Sequence, residues 1–235
     1  MATKRVRRHL RHLAVVASGV AIAVTMSTAS ASAALLGPFP YGDPGDKPVI
    51  GDWDSGGLDD IGVYRNGVFH RPTYQPYGYG DPGDIPIAGD WDGDGFDTLG
   101  VYRPSTRTFH RVGFNTTVTL GNLGDLPIVG DWNANGSDEL GVYRPGNSTF
   151  YRIGQPDVTY GNPGDLPVIG DWDGGAGADG IGVYRPDTLT FYRPGLPDIT
   201  YGDPGDLPIA GAWRDGKDRV GVYRPSNSTF YPYPD

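Results

Sequence analysis

One phrase recurs five times in this chain: a Gly-x-Trp triplet, a short acidic loop, and then Gly-Val-Tyr-Arg. All five tryptophans belong to it and stand 38, 41, 40 and 41 residues apart, at Trp53, Trp91, Trp132, Trp172 and Trp213. A fixed aromatic residue that returns about every 40 residues is typical of a repeat architecture, in which each unit is one supersecondary structure. The first constraint on the fold is therefore a fivefold repeat.

Each unit contains four short apolar runs with the composition of β-strands. In the third unit they cover residues 126–132, 140–144, 149–152 and 157–160, and Gly, Pro, Asn or Asp bounds each run. No segment has helical spacing, and 38 Gly with 22 Pro would interrupt a helix. Four antiparallel strands in about 40 residues form one propeller blade. The sequence thus predicts an all-β, five-bladed β-propeller with repeats near 41–78, 79–119, 120–159, 160–200 and 201–235.

The two ends of the chain complement each other. The last unit stops after its third run, at Phe230 and Tyr231, whereas an isolated run at 39–41 precedes the first unit. If these two runs pair, the last blade gains its fourth strand and the ring has no free edge. We therefore expect the N-terminal strand to close the last blade. A piece of a larger propeller and an open solenoid are the alternatives.

The first 33 residues predict a signal peptide. Five basic residues within 1–11 precede an apolar stretch at 13–26, and Ala31-Ser32-Ala33 provides a small-residue cleavage site. The apolar stretch is too short for a membrane anchor. We expect secretion after cleavage near Ala33–Ala34, by a general or a twin-arginine export route, which leaves residues 34–235 as a single domain.

Removal of this leader changes the net charge from −9 to −14, because it carries five of the 19 basic residues and none of the 28 acidic ones. Such an acidic protein disfavours nucleic acid and anionic membranes as partners. We expect no nucleic-acid binding, no membrane insertion and a monomer. Since the chain has no cysteine, its core, a metal or ring closure must stabilise it without disulfides.

An acidic loop connects the first and second strands of each unit. Its best copy is 90–97, Asp-Trp-Asp-Gly-Asp-Gly-Phe-Asp. Carboxylates at alternate positions followed by Gly let a short loop surround one hard cation with oxygens, and the seventh residue, Phe96, would add its backbone carbonyl. The alternative is a set of metal-free turns in which Asp side chains bond the backbone.

The order of strand, Asp-x-Asp-x-Asp-Gly, a further Asp and strand resembles the FG-GAP or VCBS repeats of integrin α-subunit propellers. It is closer still to secreted bacterial variants with Gly-Asp-Trp-Asp-Gly-Asp-Gly followed by Gly-Val-Tyr-Arg-Pro. The resemblance covers essentially all of 34–235 and implies Ca²⁺ in the loop between the first two strands of a blade.

Transferred copy by copy, the resemblance implies Ca²⁺ ligands in three loops: Asp90, Asp92, Asp94, Phe96 and Asp97 in the second; Asp131, Asn133, Asn135, Ser137 and Asp138 in the third; and Asp52, Asp54 and Asp59 in the first. In the fourth loop an extra residue separates Asp171 and Asp173 from Asp179, which interrupts the ligand geometry. The fifth loop has Ala212 and Arg214 in place of acids, so no cation is expected in the fifth loop. The family usually places its last Asp at position nine, whereas Asp97 and Asp138 stand at position eight. These two could instead cap the loop backbone.

Two other features recur along the chain. The arginine of each Tyr-Arg pair could bind carboxylates or sugars, or it could form a bidentate pair with an Asp from a neighbouring loop. These arginines are Arg65, Arg103, Arg144, Arg185 and Arg224, and the acids are Asp46, Asp84, Asp125, Asp165 and Asp206. Tyrosines beside Asp or Asn could bind glycans, and the candidates are Tyr41, Tyr79, Tyr160 and Tyr201.

Catalytic signals are few. The expected mature chain has two histidines, His70 and His110, no cysteine and no Gly-x-Ser-x-Gly elbow. We therefore expect a non-enzymatic, calcium-stabilised propeller, with cations in two or three blades, that recognises an extracellular protein or surface. A glycan-binding lectin is the alternative, and a glycoside hydrolase is a remote one.

Overall fold

A computed structural model describes residues 37–175 and 177–234, so the predicted signal peptide lies outside the described residues. These residues form five four-stranded antiparallel sheets and no helix. The predicted all-β, five-bladed propeller is thus confirmed. No described helix is long and apolar enough to span a membrane.

The chain begins with a strand that belongs to the last blade, β1 (Phe39–Pro40), and then builds the blades in order. Blade 1 comprises β2 (Lys47–Gly51), β3 (Asp60–Arg65), β4 (Val68–His70) and β5 (Tyr77–Gly78). Blade 2 comprises β6 (Ile85–Gly89), β7 (Thr98–Arg103), β8 (Thr108–Arg111) and β9 (Val118–Thr119). Blade 3 comprises β10 (Leu126–Gly130), β11 (Glu139–Arg144), β12 (Thr149–Arg152) and β13 (Val158–Thr159).

Blade 4 comprises β14 (Leu166–Gly170), β15 (Gly180–Arg185), β16 (Thr190–Tyr192) and β17 (Ile199–Thr200). Blade 5 comprises β18 (Leu207–Gly211), β19 (Arg219–Arg224), β20 (Thr229–Pro232) and the N-terminal β1. Phe39 pairs with Phe230, Pro40 pairs with Thr229, and the Tyr41 N–H donates to the Ser228 carbonyl at 2.8 Å. The last blade is therefore closed by the first strand, as the complementary chain ends predict.

The tryptophans pack between neighbouring blades. Trp53 lies in one buried cluster with Tyr64 and Phe69 of its own blade and with Leu99 and Val101 of the next. All five tryptophans are at most 8% exposed, and their indole N–H groups have no acceptor among the described residues, so they act through packing. Each lies two residues beyond the end of an inner strand, which is shorter than the predicted 126–132 run because the acidic loop begins there.

The second and third strands of each blade are joined by hairpins whose backbone follows the local sequence. The Asn66-Gly67 turn of blade 1 has φ of 49° and 88° at these two residues, as a two-residue type I′ turn requires. The longer hairpins place one non-glycine residue at a φ of 52–57°: Arg107, Ser148, Leu189 and Ser228. Length differences between the units therefore fall in turns and leave the strand register intact.

Because the strands of each blade are antiparallel, the loops between strands alternate between the two ends of the blade. Equivalent ends of the five blades lie on the same side of the ring, so the propeller has two faces. The loop face carries the acidic loops (52–59, 90–97, 131–138, 171–175 with 177–179, and 212–218) and the turns between third and fourth strands (71–76, 112–117, 153–157 and 193–198). The connection face carries the hairpins and the segments that join one blade to the next. The predicted metal loops and the predicted tyrosine sites thus lie on opposite faces.

Deletion of residues 36–41 from a chain that starts at residue 34 should destabilise the protein strongly. The deletion removes β1 and exposes the backbone edge of β20, which can then pair with other chains. We expect a lower melting temperature in thermal unfolding and aggregates in light scattering. Deletion of residues 34–37 alone leaves β1 in place and serves as the control. A 36–41 deletion that melts like the control would contradict this mode of closure.

Candidate metal loops and the clamps between blades

Three carboxylates meet in the second acidic loop. Asp90, Asp92 and Asp94 each place a ligand atom within 4.8 Å of the others. Asp90 is buried, and its two oxygens accept the N–H groups of Gly93, Asp94 and Gly95 at 2.8–3.0 Å. Asp92 and Asp94 are exposed. The loop therefore fixes one carboxylate at its base and presents two more to solvent beside it.

The charge balance of this loop suits a hard cation. Burial raises the pKa of Asp90, three backbone N–H groups lower it, and the neighbouring Asp94 carboxylate raises it again, with a net upward shift. Oxygen donors with surplus negative charge are the ligands that Ca²⁺ prefers. Phe96 donates its N–H to Asp94 Oδ1 at 2.9 Å and exposes 43% of its surface, and the predicted contribution of its carbonyl stays a prediction.

The last Asp of the loop lies elsewhere. Asp97 Oδ2 accepts the N–H of Asp52, in the preceding blade, at 2.9 Å, and the Asp97 N–H donates to the Asp52 carbonyl at 2.9 Å. Two reciprocal hydrogen bonds thus join the acidic loops of adjacent blades, an arrangement that we call the inter-blade clamp. Asp97 is not part of the three-carboxylate group.

The same clamp occurs at all five junctions. The last Asp before the second strand bonds the backbone N–H and C=O at position one of the preceding loop at 2.7–3.1 Å in every case: Asp97 with Asp52, Asp138 with Asp90, Asp179 with Asp131, Asp218 with Asp171, and Asp59 with Ala212. This Asp is the eighth residue of its loop in blades 1 to 3, the ninth in the longer fourth loop and the seventh in the shorter fifth loop. Asp59, Asp97 and Asp138 are predicted calcium ligands, and that role stays a prediction. The structure places all three at blade junctions, where they bond backbone atoms as the alternative for Asp97 and Asp138 expects, with the difference that this backbone belongs to another blade.

The clamp also explains why a glycine precedes position one. A Cβ added to Gly89 would lie 2.8 Å from Asp138 Oδ2, and one added to Gly51 would lie 2.8 Å from Asp97 Oδ2, too close for real contacts. The clamp carboxylates also influence one another. Burial raises the pKa of Asp138 well above its usual range, and the charges of Asp97 and Asp179 raise it further.

The third loop differs from the second in what its amides face. Asn133 Nδ2 donates to Glu139 Oε1, Asn135 Nδ2 donates to the same oxygen at 3.3 Å, and Trp132 N–H donates to Glu139 Oε2 at 3.0 Å. The two amides that were expected to offer oxygens to calcium therefore offer nitrogens to Glu139. Ser137 N–H donates to Asn135 Oδ1 at 2.7 Å. Glu139, the only glutamate of the chain, thus organises this loop through hydrogen bonds that its sequence position did not indicate.

In the first loop, backbone N–H groups engage the aspartates. Asp52 accepts the N–H groups of Gly56 and Gly57 at 2.9 and 2.8 Å, and Asp54 Oδ1 accepts the Gly56 N–H at 2.8 Å. Burial, followed by the charges of Asp54 and Asp52, raises the pKa of the buried Asp60 to about 6. Burial and the neighbouring carboxylates therefore disfavour the charged form of Asp60, which stands at position nine, outside the predicted ligand set.

In the fifth loop an arginine side chain pairs with an acidic residue. The Arg219 guanidinium donates to both oxygens of Asp215 at 2.7 and 3.0 Å and lowers the pKa of that carboxyl to about 2. In the fourth loop, Asp171 and Asp173 accept the N–H groups of Gly174 and Gly175 at 3.0 and 2.8 Å, while residue 176 lies outside the described residues.

The arginines of the connection face form the predicted structural pairs. Each guanidinium donates from Nε and Nη2 to the two oxygens of the Asp before the inner strand of its own blade, at 2.6–3.0 Å: Arg65 to Asp46, Arg103 to Asp84, Arg144 to Asp125, Arg185 to Asp165, and Arg224 to Asp206. The five carboxylates are buried. The bidentate pair, one of the two alternatives, is thus the observed one.

The four candidate tyrosines are half-buried at the seams between blades. Tyr41, Tyr79, Tyr160 and Tyr201 each pack against a buried cluster, and each backbone N–H donates to a hairpin carbonyl at 2.8–2.9 Å. Tyr201 also borders a pocket.

Replacement of Asp97 by Ala should cost about 1–3 kcal/mol of unfolding free energy, because it leaves the Asp52 N–H in the interior without an acceptor. Asp97→Asn retains an oxygen at this place and should cost less. Urea denaturation in the presence of a chelator measures both effects. The control is Asp92→Ala, an exposed position whose effect should stay within about 0.5 kcal/mol without calcium. Equal effects of Asp97→Ala and Asp92→Ala would contradict the clamp.

No protein-family model matches this sequence, and no curated protein matches it either.

Proposed function

We propose that this protein is an exported, monomeric, calcium-binding propeller that docks onto an extracellular protein through its loop face. The observation that carries the proposal is the distribution of exposed apolar side chains. Among the described residues, five of the seven large hydrophobic side chains classed as exposed belong to the loop face: Tyr74, Phe96, Phe114, Ile153 and Leu196. Concentration of exposed apolar area on one face favours protein recognition there.

The aromatic residues of this face are held in place from below. The Arg71 guanidinium lies between the rings of Tyr74 and Trp53, at 4.4 and 5.2 Å from their centroids. Arg111 lies in the same way between Phe114 and Trp91, at 4.5 and 5.7 Å. Rings that are already ordered lose little conformational entropy on binding, which favours them as anchors of an interface.

The charges of the loop face favour a basic partner. Asp54, Asp92 and Asp94 are exposed and make no ion pair with any residue that the structure describes. On the connection face, by contrast, Asp43 and Asp81 each contact a guanidinium at 2.6 Å. Complementary charge steers encounter and fixes orientation. The expected partner therefore presents lysines or arginines around an apolar centre.

Calcium would bind in the second loop of the same face. Asp90, Asp92 and Asp94 would hold it, and the ion would neutralise their mutual repulsion and order the loop that carries Phe96. The third loop is the second candidate, on the condition that its two amides release Glu139 and turn their oxygens toward the cation. Free calcium outside cells reaches about 1 mM, so a weak site would be filled there.

Calcium should raise the melting temperature of the chain that starts at residue 34, and a chelator should lower it. With a dissociation constant of about 0.1 mM and about 1 mM free calcium, one site stabilises the fold by roughly 1.4 kcal/mol. Asp92→Ala should remove most of this response, whereas Arg214→Ala in the fifth loop should leave it unchanged. Magnesium should substitute poorly because it demands a tighter octahedron.

Thermal melts with and without chelator and isothermal titration calorimetry measure this response. The calcium proposal fails if calorimetry shows no heat of calcium binding and melting is insensitive to chelator. The loop-face proposal does not fail with it, because Tyr74, Phe114 and Leu196 lie outside the metal loops.

The double substitution Phe96→Ser with Phe114→Ser should weaken partner binding at least tenfold, because aromatic anchors dominate interface energetics. The partner is first captured from surface extracts of the producing cells, identified by mass spectrometry, purified and titrated against each variant. Leu123→Ser is the matched control, since Leu123 is 73% exposed on the connection face. Binding that survives the double substitution but not Leu123→Ser would place recognition on the other face.

A further inference from the structure

The connection face has a pocket of about 390 Å³ at the seam between blades 4 and 5. Its walls come from the segment between the two blades, with Tyr201 and Asp203, and from the second and third strands of blade 5, with Val222, Arg224 and Tyr231. The volume lies within the range of small-molecule sites. The pocket is separate from the acidic loops, which lie on the opposite face.

Two tyrosine rings line this pocket, and each is fixed. The Tyr201 hydroxyl donates to the Pro232 carbonyl at 3.3 Å, and its ring meets Tyr233 edge-on with centroids 5.2 Å apart. The Tyr231 ring lies under the Arg224 guanidinium at 4.6 Å, and its hydroxyl accepts a hydrogen bond from Asn227 Nδ2 at 2.9 Å. A ligand would therefore meet two tyrosine side chains that need no ordering.

The charges at the pocket disfavour anionic ligands. Asp203 and Asp206 contact Arg224 at 2.6 and 2.9 Å, and the two carboxylates together outweigh its positive charge. The Asp203 side chain is 63% exposed and is an acceptor for hydroxyl donors. Neutral ligands with hydroxyl groups on one edge and apolar C–H groups on a face match this combination of carboxylate, tyrosines and Val222.

The same positions in the other blades do not reproduce this set. Tyr201, Asp203 and Tyr231 correspond to Tyr, Asp and His in blades 1 and 2, to Leu, Asn and Tyr in blade 3, and to Tyr, Asn and Tyr in blade 4. Only blade 5 combines two tyrosines with an aspartate. Blade 5 thus has the commonest residue at each of the three positions at once, and this combination brings two tyrosines and a carboxylate together beside one pocket.

We propose that the pocket between blades 4 and 5 binds a neutral sugar. The pyranose ring lies against Tyr201 and Tyr231, and its hydroxyls donate to the Asp203 carboxylate. This inference goes beyond the proposed recognition of a protein and depends neither on calcium nor on the loop face.

The test is ligand-observed NMR titration of the chain that starts at residue 34 with neutral hexoses and their di- and trisaccharides. At least one of these sugars should bind saturably. Asp203→Asn should weaken binding about tenfold or more, because a hydrogen bond to a charged group becomes one to a neutral amide. Tyr231→His removes most of one wall and should weaken binding comparably.

Both substitutions copy residues that other blades carry at the same position, so the fold tolerates them, and melting temperatures check this. Matched controls make the same changes elsewhere: Asp81→Asn in blade 2 and Tyr151→His in blade 3, both of which should leave sugar binding unchanged. The proposal is overturned if no sugar of the panel binds saturably. It is also overturned if the blade 5 variants bind as well as the controls.

Discussion

The ring depends on the inter-blade clamp, in which the side chain and backbone N–H of one Asp bond the N–H and C=O of one residue in the loop of the preceding blade. Side-chain packing between blades alone tolerates small rotations. The two reciprocal hydrogen bonds to backbone atoms fix both the distance and the register of neighbouring blades. At four of the five junctions the glycine before the clamped residue is part of the same arrangement, since a Cβ at Gly51, Gly89, Gly130 or Gly170 would collide with the clamping carboxylate.

The acidic loop divides its residues between the fold and the surface. The clamp Asp and the backbone of position one join neighbouring blades in every unit, whereas the side chains at positions three, five and nine differ from copy to copy. At position nine, Glu139 accepts hydrogen bonds from amide nitrogens, and the equivalent Arg219 pairs with Asp215. Because the clamp needs only its Asp and backbone atoms, a loop can gain or lose metal ligands without loss of closure, as Ala212 in the fifth loop shows.

The repeat period, the complementary chain ends and the Asn66-Gly67 turn predict the architecture, because strand composition and turn chemistry act locally. The clamp was not predicted, since one Asp can satisfy both a metal motif and a capping motif. A signal was present: the fifth unit keeps Asp218 although Ala212 and Arg214 have replaced its metal-type acids. The pocket beside Tyr201 depends on Tyr231 from another strand, so tyrosines chosen by repeat position alone could not reveal it.

Closure joins the two extremes of the chain. β1 pairs with β20, and the fifth clamp bonds Asp59 to Ala212 across 153 residues of sequence. While the chain is being made, residues 39 and 40 have no strand to pair with until β20 has left the ribosome. The last blade can therefore assemble only after residues 229–232 have emerged. Until then the four earlier blades form an open arc, and the ring closes in one late step that joins the two extremes of the repeat.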